Sequence, residues 1–364
     1  MKQAGSPVAV GAFLVAGQFP GMSHADTLSA SMAYAAAAED AGFDGVWIAE
    51  HHFISYGVCP SALTFAAHLL GSTTRIEVGT AACVLSSRHP VALGEETALL
   101  DHLSEGRFRL GVARGGPWLE LEVFGTGLPR YERGFPEALD LLLRWLGEEK
   151  VTADGEFFAF RETPVVPRPR TSPRPPVWVA ATSTATVELA AERGLPLLLG
   201  IHEDDAGKAR LLARYAEVAT RSGHDPRSVP HTATVLAQVA DSRAEAAGTL
   251  RAAMPGWLGR GTADYVRLDA DHWPRRDPHT YVEQLLRIHP VGTPEQCARR
   301  LTETIERTGV HRLLLMVEGA GTRHGTLDNI TRIGAEVLPS ITGSRKARAA
   351  GGPSRAASSQ SSAH

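Results

Sequence analysis

One short segment of the sequence places an acid beside two imidazoles. Glu50, His51 and His52 follow a run of apolar residues and precede Phe53. Histidine titrates near neutral pH and can both accept and donate a proton, so this trio is a candidate for general acid–base catalysis. A structural interpretation, in which one histidine caps a strand and the other faces solvent, fits these residues equally well.

Two further segments carry groups that suit an anion, in particular a phosphate. Arg114 is followed by two glycines, so its guanidinium donors would lie beside free backbone NH groups. Thr182 and Ser183 precede a segment of helical period, and the NH groups and dipole of a helix N-terminus attract phosphate. A salt bridge at the arginine and ordinary N-capping at the hydroxyls are the alternatives. Because the two segments follow neighbouring predicted strands, they indicate one phosphate site.

An alternation of strands and helices must position these three segments. Apolar runs alternate with longer stretches of helical period, as parallel βαβ units require. The predicted strands are residues 8–15, 45–49, 76–84, 108–112, 177–180, 195–199, 232–239 and 311–317. The predicted helices are residues 24–41, 60–71, 90–103, 133–146, 184–193, 204–222 and 293–308, with a closing helix that ends near residue 338. The pattern predicts an α/β fold, a (β/α)8 TIM barrel whose active site lies at the C-terminal ends of its strands.

Three stretches interrupt this alternation. Residues 150–176 are rich in proline, which cannot donate to a strand ladder, and are interpreted as an excursion within the barrel. Residues 255–290 lack a regular pattern and are predicted to form an irregular lid. Residues 343–364 are small and polar, so we expect a flexible tail after a single domain at 1–342. The alternative, an open doubly wound sheet, would require a GxGxxG turn after the first strand, and residues 17–20 do not supply it.

Composition excludes several classes of partner. The 364 residues contain 37 basic and 40 acidic side chains, a formal net charge of −3, which argues against nucleic acid or a membrane surface as the ligand. The three cysteines lack metal-binding spacing and cannot complete a disulfide framework, so we predict no metal and a reducing, cytoplasmic location. No run approaches the ~20 apolar residues of a membrane span, and the first apolar run is interpreted as a strand.

Together, these segments resemble the bacterial luciferase family, and specifically its α chain. The resemblance runs from the first strand to about residue 319, and its motifs lie at residues 42–53, 66–71, 78–85, 89–91, 100–101, 104–108, 190–196 and 290–295. It implies a TIM barrel that binds reduced FMN (FMNH2) delivered by a separate flavin reductase. It further implies that O2 forms a flavin 4a-hydroperoxide, which oxygenates a small organic substrate such as an aldehyde or a biosynthetic intermediate.

The resemblance also implies roles for individual residues. His51 matches the catalytic histidine, and Glu50 beside it is predicted to be catalytic as well. The implied cofactor-binding residues are Ala81, Ala82, Arg114, Glu120, Arg133, Ala181, Thr182, Ser183 and Thr186. Both arginines match phosphate ligands, and the Ala81–Ala82 bond falls where the family has a non-proline cis peptide under the flavin ring.

Departures from the family concern the flavin site and the lid. Ala113 stands where the family has a reactive cysteine, Glu120 where luciferases have aspartate, and Thr182 where they have glutamate. Residues 264–286 are shorter than the mobile lid of luciferases. The positions of His52 and Glu95 match the luciferase subunit interface, so the resemblance implies a homodimer formed through the second and third helices.

Two other functions remain compatible with the sequence. One is hydride transfer by a reduced deazaflavin without oxygen, found in a sister branch of the same superfamily. The other is a non-catalytic FMN-binding relative, which the intact trio of residues 50–52 disfavours. The aromatic candidates for an apolar substrate pocket are Phe53, Tyr56, Trp118, Trp257 and Trp273, all of which could equally be core residues.

Overall fold

The computed structural model describes residues 8–269 and 276–342. In chain order its strands are β1 (Ala9–Leu14), β2 (Gly45–Ile48), β3 (Glu77–Thr80), β4 (Cys83–Val84), β5 (Phe108–Ala113), β6 (Lys150–Asp154), β7 (Ala159–Pro164), β8 (Val177–Ala181), β9 (Leu197–Leu199), β10 (Thr232–Leu236), β11 (Gln238–Val239), β12 (Val291–Gly292) and β13 (Arg312–Met316).

The helices occupy the segments between these strands. They are α1 (His24–Asp40), α2 (Ala62–Ser72), α3 (Pro90–Leu103), α4 (Glu120–Val123), α5 (Gly127–Gly147), α6 (Thr184–Glu192), α7 (Asp205–Arg221), α8 (Arg243–Gly261), α9 (Pro278–Ile288), α10 (Pro294–Thr308), α11 (Arg323–Arg332) and α12 (Leu338–Thr342). Among the helices of the described residues, none combines the length and apolar character that crossing a bilayer requires.

The parallel strands close into the predicted TIM barrel. Their order is β3-β2-β1-β13-β10-β9-β8-β5-β4, and β3 also pairs with β5, so the sheet has no open edge there. Strand β4 continues the course of β3 alongside β5, so the two occupy one position in the sheet. The barrel is therefore eight-stranded. All four residues of β2 are buried, as expected for strands covered by helices on one side and by the barrel interior on the other.

Two tryptophans fill the interior of the barrel. Trp47 and Trp178 meet edge to face, with ring centroids 5.2 Å apart, and both are buried. Leu198 and Leu314 pack against them, as does Ala82 at the C-terminal end of the barrel. This packed layer forms the floor beneath the open face of the barrel.

The excursion at residues 150–176 has structure of its own. Strands β6 and β7 form an antiparallel hairpin outside the barrel, and an irregular stretch leads from it to β8. The carboxylate of Glu137 on α5 accepts hydrogen bonds from the backbone NH groups of Phe157 and Phe158 in the hairpin turn. The prolines follow the hairpin, except Pro164, which is its last residue.

The prediction of an irregular lid across residues 255–290 was wrong in extent. Helix α8 continues to Gly261 and α9 spans Pro278–Ile288, so the described irregular residues of this range are 262–269, 276–277 and 289–290. Pro255 and Gly256 lie within α8, where burial of Met254 and Trp257 on one face outweighs their low helix propensity. Trp273 and the predicted tail at 343–364 lie outside the described residues.

The third predicted strand, residues 76–84, is interrupted at its centre. Strand β3 ends at Thr80 and β4 begins at Cys83, with a cis peptide bond between Ala81 and Ala82. The sequence-based prediction of this non-proline cis bond is confirmed. Beside it, the buried hydroxyl of Thr80 donates to the carbonyl of Gly111 at 2.8 Å and accepts from its NH at 2.9 Å. One side chain thus joins β3 to β5 where their backbone pairing ends.

We expect Thr80→Val to lower the free energy of unfolding by about 2 kcal/mol, because it keeps the side-chain shape but removes both hydrogen bonds to Gly111. Urea denaturation followed by tryptophan fluorescence measures the change. The control is Thr97→Val, which removes a buried hydroxyl that bonds to Leu93 within its own helix at 2.7 Å. Its expected cost is below about 1 kcal/mol. Equal losses in the two variants would contradict a special role for Thr80.

Candidate active site

A cavity of about 380 Å³ opens at the C-terminal ends of the barrel strands. It is lined by Glu50, His51, His52, Val84, Arg114, Gly115, Gly116, Pro117, Trp118, Glu120, Tyr131, Thr182, Tyr265 and Arg267. All three segments that the sequence analysis selected, after β2, β5 and β8, contribute to this one cavity. Among the described residues, no group of three or more His, Cys, Asp or Glu side chains is placed to hold a metal ion.

His51 presents a neutral imidazole to the cavity. Burial lowers its pKa to about 4; the charge of Glu50 opposes this shift and His52 adds to it. Its Nδ1 atom is buried without a hydrogen-bond partner in the described structure, and the ring packs edge to face on Tyr56 at 5.0 Å. Since His51 lines the cavity and Nδ1 is sealed off, Nε2 is the ring nitrogen available to a ligand.

Gly57 allows the loop after β2 to close around His51. A Cβ atom at this glycine would lie 2.5 Å from the carbonyl oxygen of Val15 and 2.8 Å from Nδ1 of His51. Backbone hydrogen bonds join the same loop to the segment after β1, from Val58 NH to the carbonyl of Ala16 at 2.9 Å. The imidazole is therefore held between two loops at the ends of adjacent strands.

Glu50 is a buried carboxylate with several partners. It accepts hydrogen bonds from the NH groups of Ala62 and Val84, and it pairs with the guanidinium of Arg88 at 2.9 Å. Burial acts to raise its pKa, but the neighbouring His52, whose Nε2 lies 3.8 Å from the carboxylate, and the charge of Arg88 outweigh it and leave the pKa below the ordinary value. Its oxygens are thus engaged in joining the loop after β2 to β4 and α2.

Arg114 and Thr182 directly follow two adjacent strands of the barrel. Strands β5 and β8 pair in parallel, with Val112 opposite Val179, so the residues that follow them reach the same face. The Arg114 guanidinium lies 4.5 Å from the centroid of the Tyr131 ring. Gly115, the next residue, has φ of 82°, a conformation that favours glycine. The predicted anion-binding segments therefore face one cavity.

The remaining predicted phosphate contacts are local to the start of α6. Ser183 is the N-cap of this helix: its hydroxyl lies 3.0 Å from the hydroxyl of Thr186 and accepts from the Thr186 NH at 3.3 Å. Ala181 is the buried last residue of β8, directly before Thr182. Apart from Thr182, these residues stand beside the cavity rather than in its wall.

Arg133 has a different environment from Arg114. It lies on α5 with a mostly exposed side chain, forms an ion pair with Glu156, and its guanidinium is 5.9 Å from the Phe157 ring. It does not line the cavity. The structure therefore brings together His51, Arg114 and Thr182 but leaves Arg133 on the side of the hairpin.

A short pairing of two segments covers part of the cavity. Leu119 donates through its NH to the carbonyl of Val266 at 3.1 Å, and Leu268 donates to Pro117 at 2.8 Å. The rings of Trp118 and Tyr265 lie 4.5 Å apart, as part of the same contact. Residues 265–269, here called the lid strand, thus dock on residues 117–119.

Sequence reasoning missed the contributions of Tyr131, Tyr265 and Arg267. Arg267 pairs with Asp269, and its guanidinium lies 5.5 Å from the Trp118 ring. The lid strand was expected to shield the site, but its partner segment could not be identified because a pairing between residues so distant in sequence leaves no local periodicity. Of the aromatic residues that the sequence left open between a pocket and the core, Trp118 lines the cavity, whereas Trp257 is buried against Phe19 and Tyr56.

Known proteins resemble this chain along most of its length. The model of the luciferase-like monooxygenase family matches residues 8–312. The chain is 30% identical over 347 residues to an alkanal monooxygenase alpha chain of a Kryptophanaron alfredi symbiont, covering 90% of this chain and 97% of that one. It is 31% identical over 351 residues to an alkanal monooxygenase alpha chain of Photorhabdus luminescens, covering 90% and 96%.

Solved structures share the barrel at lower identity. Monooxygenase RslO1 from Streptomyces bottropensis superposes with a TM-score of 0.78 at 22% identity, covering 91% of this chain and 99% of that one. The oxygenating constituent of 3,6-diketocamphane monooxygenase from Pseudomonas putida, solved with FMN, gives 0.74 at 20%, covering 92% and 98%. An F420-dependent secondary alcohol dehydrogenase gives 0.73 at 18%, covering 92% and 99%. This likeness concerns the fold.

The buried Glu50–Arg88 pair yields a stability prediction. Glu50→Gln should lower the free energy of unfolding by about 3 kcal/mol at pH 7, because it leaves the Arg88 guanidinium and a backbone NH without their carboxylate. The folded pKa of Glu50 lies below the ordinary 4.5, so its stabilisation is complete above that pH and is lost as the pH falls through the folded pKa. Urea titrations at pH 7 and at progressively more acidic pH measure both effects.

The control for this substitution is Glu188→Gln, which breaks a pair with Arg214 whose side chains are 34% and 37% exposed. Its expected cost is below about 1 kcal/mol. If Glu50→Gln is no more destabilising than this surface variant, the buried carboxylate does not hold the loop as described.

Proposed function

Because the chain belongs to the luciferase-like monooxygenase family, we propose that it is a flavin-dependent monooxygenase that uses FMNH2 and O2 to oxygenate a small organic substrate. The family membership confirms the resemblance expected from the sequence motifs. One observation carries the proposal: Arg114 and Thr182, which follow adjacent strands, line the same cavity as the neutral imidazole of His51.

The residues present fit a flavin phosphate. Arg114 supplies a guanidinium, Thr182 a hydroxyl, and the first turn of α6 contributes backbone NH groups that have no partner within the helix. Together they favour a dianion over a neutral ligand. In its reduced form, FMN supplies the two electrons needed to activate O2, and we propose that a separate flavin reductase delivers it.

We assign proton transfer and the exclusion of water to residues of the chain itself. A His51 pKa of about 4 keeps the imidazole neutral at pH 7, so Nε2 can accept a proton or a hydrogen bond from the reacting groups and return the proton later. Both carboxylate oxygens of Glu50 already accept hydrogen bonds, so we do not assign it proton transfer. We assign it the role of positioning the loop that carries His51. The lid strand, paired with residues 117–119, limits the access of water.

A homodimer through α2 and α3 also follows from the resemblance. On α3, Leu99 and Leu103 are 50% and 73% exposed, an apolar surface that a second copy of the chain would cover. Sedimentation of a species with the mass of a single chain would contradict this proposal.

Hydride transfer by a reduced deazaflavin is the second candidate function. The similarity in fold to an F420-dependent dehydrogenase supports it, and a deazaflavin phosphate would use the same anchors at Arg114 and Thr182. The two reactions differ in their need for oxygen. A non-catalytic FMN carrier would need neither oxygen nor the proton-handling group at His51.

Arg114→Gln should weaken FMN binding by at least about tenfold while leaving the affinity for riboflavin, which lacks the phosphate, nearly unchanged. Fluorescence titration with both flavins measures the ratio. Arg133→Gln is the matched control, because that side chain pairs with Glu156 outside the cavity, and we expect less than about a threefold change. An equal loss in both variants would restore the phosphate role that the resemblance assigns to Arg133. A wild-type chain with no affinity for FMN would contradict the flavin site.

His51→Gln should reduce oxygenated product by about 10²-fold or more, since a general acid–base group contributes ~10²–10⁴-fold, while FMN affinity stays unchanged. The assay supplies photochemically reduced FMN and ¹⁸O2 to a panel of aldehydes, ketones and phenols, and mass spectrometry counts the incorporated label. The control, His68→Gln, alters an exposed histidine on α2 and should match wild type. Turnover with reduced F420 under anaerobic conditions, without label incorporation, would instead establish hydride transfer.

A further inference from the structure

The part of the cavity beneath the lid strand is poorly suited to an alkyl chain. Its walls there are the Trp118 and Tyr265 rings, with the Arg267 guanidinium beside them. Among the lining residues, wholly aliphatic surface comes from Val84 and Pro117. An alkyl chain placed there would displace water from charged groups without replacing its hydrogen bonds, which costs free energy.

A carboxylate faces the same part of the cavity. Glu120 is 7% exposed, lines the cavity, and is two residues beyond Trp118. Among the residues that the structure describes, no side chain donates a hydrogen bond to it. Burial raises its pKa, and the nearby His52 partly opposes this. A buried acceptor of this kind favours a ligand that brings its own donor.

Luciferases also carry an acid at the position of Glu120, so the class of ligand follows from this acid together with the aromatic wall. A planar aromatic ring can lie against the indole and phenol rings of Trp118 and Tyr265, where offset or edge contacts between π-systems are favourable. A hydroxyl on that ring can donate to Glu120. A saturated aldehyde offers neither a ring nor a donor.

Building on the oxygenase function above, we propose that the substrate is a compact hydroxylated aromatic compound rather than a long-chain alkanal. Glu120 accepts the hydrogen bond of the phenolic hydroxyl, and the Trp118–Tyr265 wall packs against the ring. Both residues are therefore specificity determinants. A site built to bond a hydroxyl discriminates strongly against analogues that lack it, because the buried partner is then left unpaired.

Isothermal titration of the chain with 2-naphthol, naphthalene and decanal, with and without saturating FMN, tests this assignment. We expect 2-naphthol to bind at least about tenfold more tightly than either of the others. Glu120→Leu should abolish the preference for 2-naphthol over naphthalene without lowering the urea midpoint, because it removes a buried carboxylate that lacks a side-chain donor. Trp118→Leu should weaken both aromatic ligands and leave decanal unchanged.

The control variant is Glu122→Leu, an exposed acid on the same short helix, which should behave as wild type. The assignment is overturned if decanal binds most tightly, or if Glu120→Leu leaves the ratio of 2-naphthol to naphthalene affinity unchanged. It is also overturned if Glu120→Leu loses affinity for FMN but keeps the preference for 2-naphthol. That outcome would show that Glu120 contacts the flavin. A wild-type chain that fails to bind FMN and still prefers 2-naphthol over decanal would contradict the oxygenase proposal and support the assignment of a hydroxylated aromatic ligand.

Discussion

The site depends on the burial of one carboxylate. Glu50 has a fully buried side chain, so its charge is tolerated only because Arg88 and two backbone NH groups surround it. Those partners belong to the start of α2, to β4 and to the loop before α3, so the carboxylate joins the segment after β2 to the segments around β4. His51 is the next residue in the chain, so the contacts of Glu50 also fix the position of His51. The neutral state of the imidazole is a consequence of the burial of His51 itself, which outweighs the opposing charge of Glu50.

The cavity presents opposite charges to a ligand. Arg114 and Thr182 suit an anion, whereas Glu120 suits a hydrogen-bond donor, and all three line the same volume. A single neutral, apolar molecule would satisfy neither group. An anionic phosphate satisfies the first pair, and a hydrogen-bond donor, whether on the flavin ring or on a separate substrate, satisfies the second.

The barrel and the three polar segments could be predicted because their signals are local. Each strand is a short apolar run, and residues that follow parallel strands must reach one face, so the placement of His51, Arg114 and Thr182 in one cavity follows from topology. The environment of Arg133 could not be predicted, because it depends on which face of α5 meets the hairpin. The C-terminal part of helix α8 could not be predicted either, because it contains Pro255 and Gly256, whose unfavourable helix propensity is overcome by tertiary burial of Trp257.

The division between scaffold and lid explains why membership of a family does not fix the substrate. His51, Arg114 and Thr182 follow barrel strands whose position is set by parallel pairing and by the tryptophan layer below. Tyr265 and Arg267 instead reach the cavity through two backbone hydrogen bonds to residues 117–119. Since backbone bonds do not depend on side-chain identity, the lid strand can exchange its aromatic and charged groups without disturbing Arg114 and Thr182. The proposed aromatic wall is therefore formed in part by residues that the barrel strands do not position.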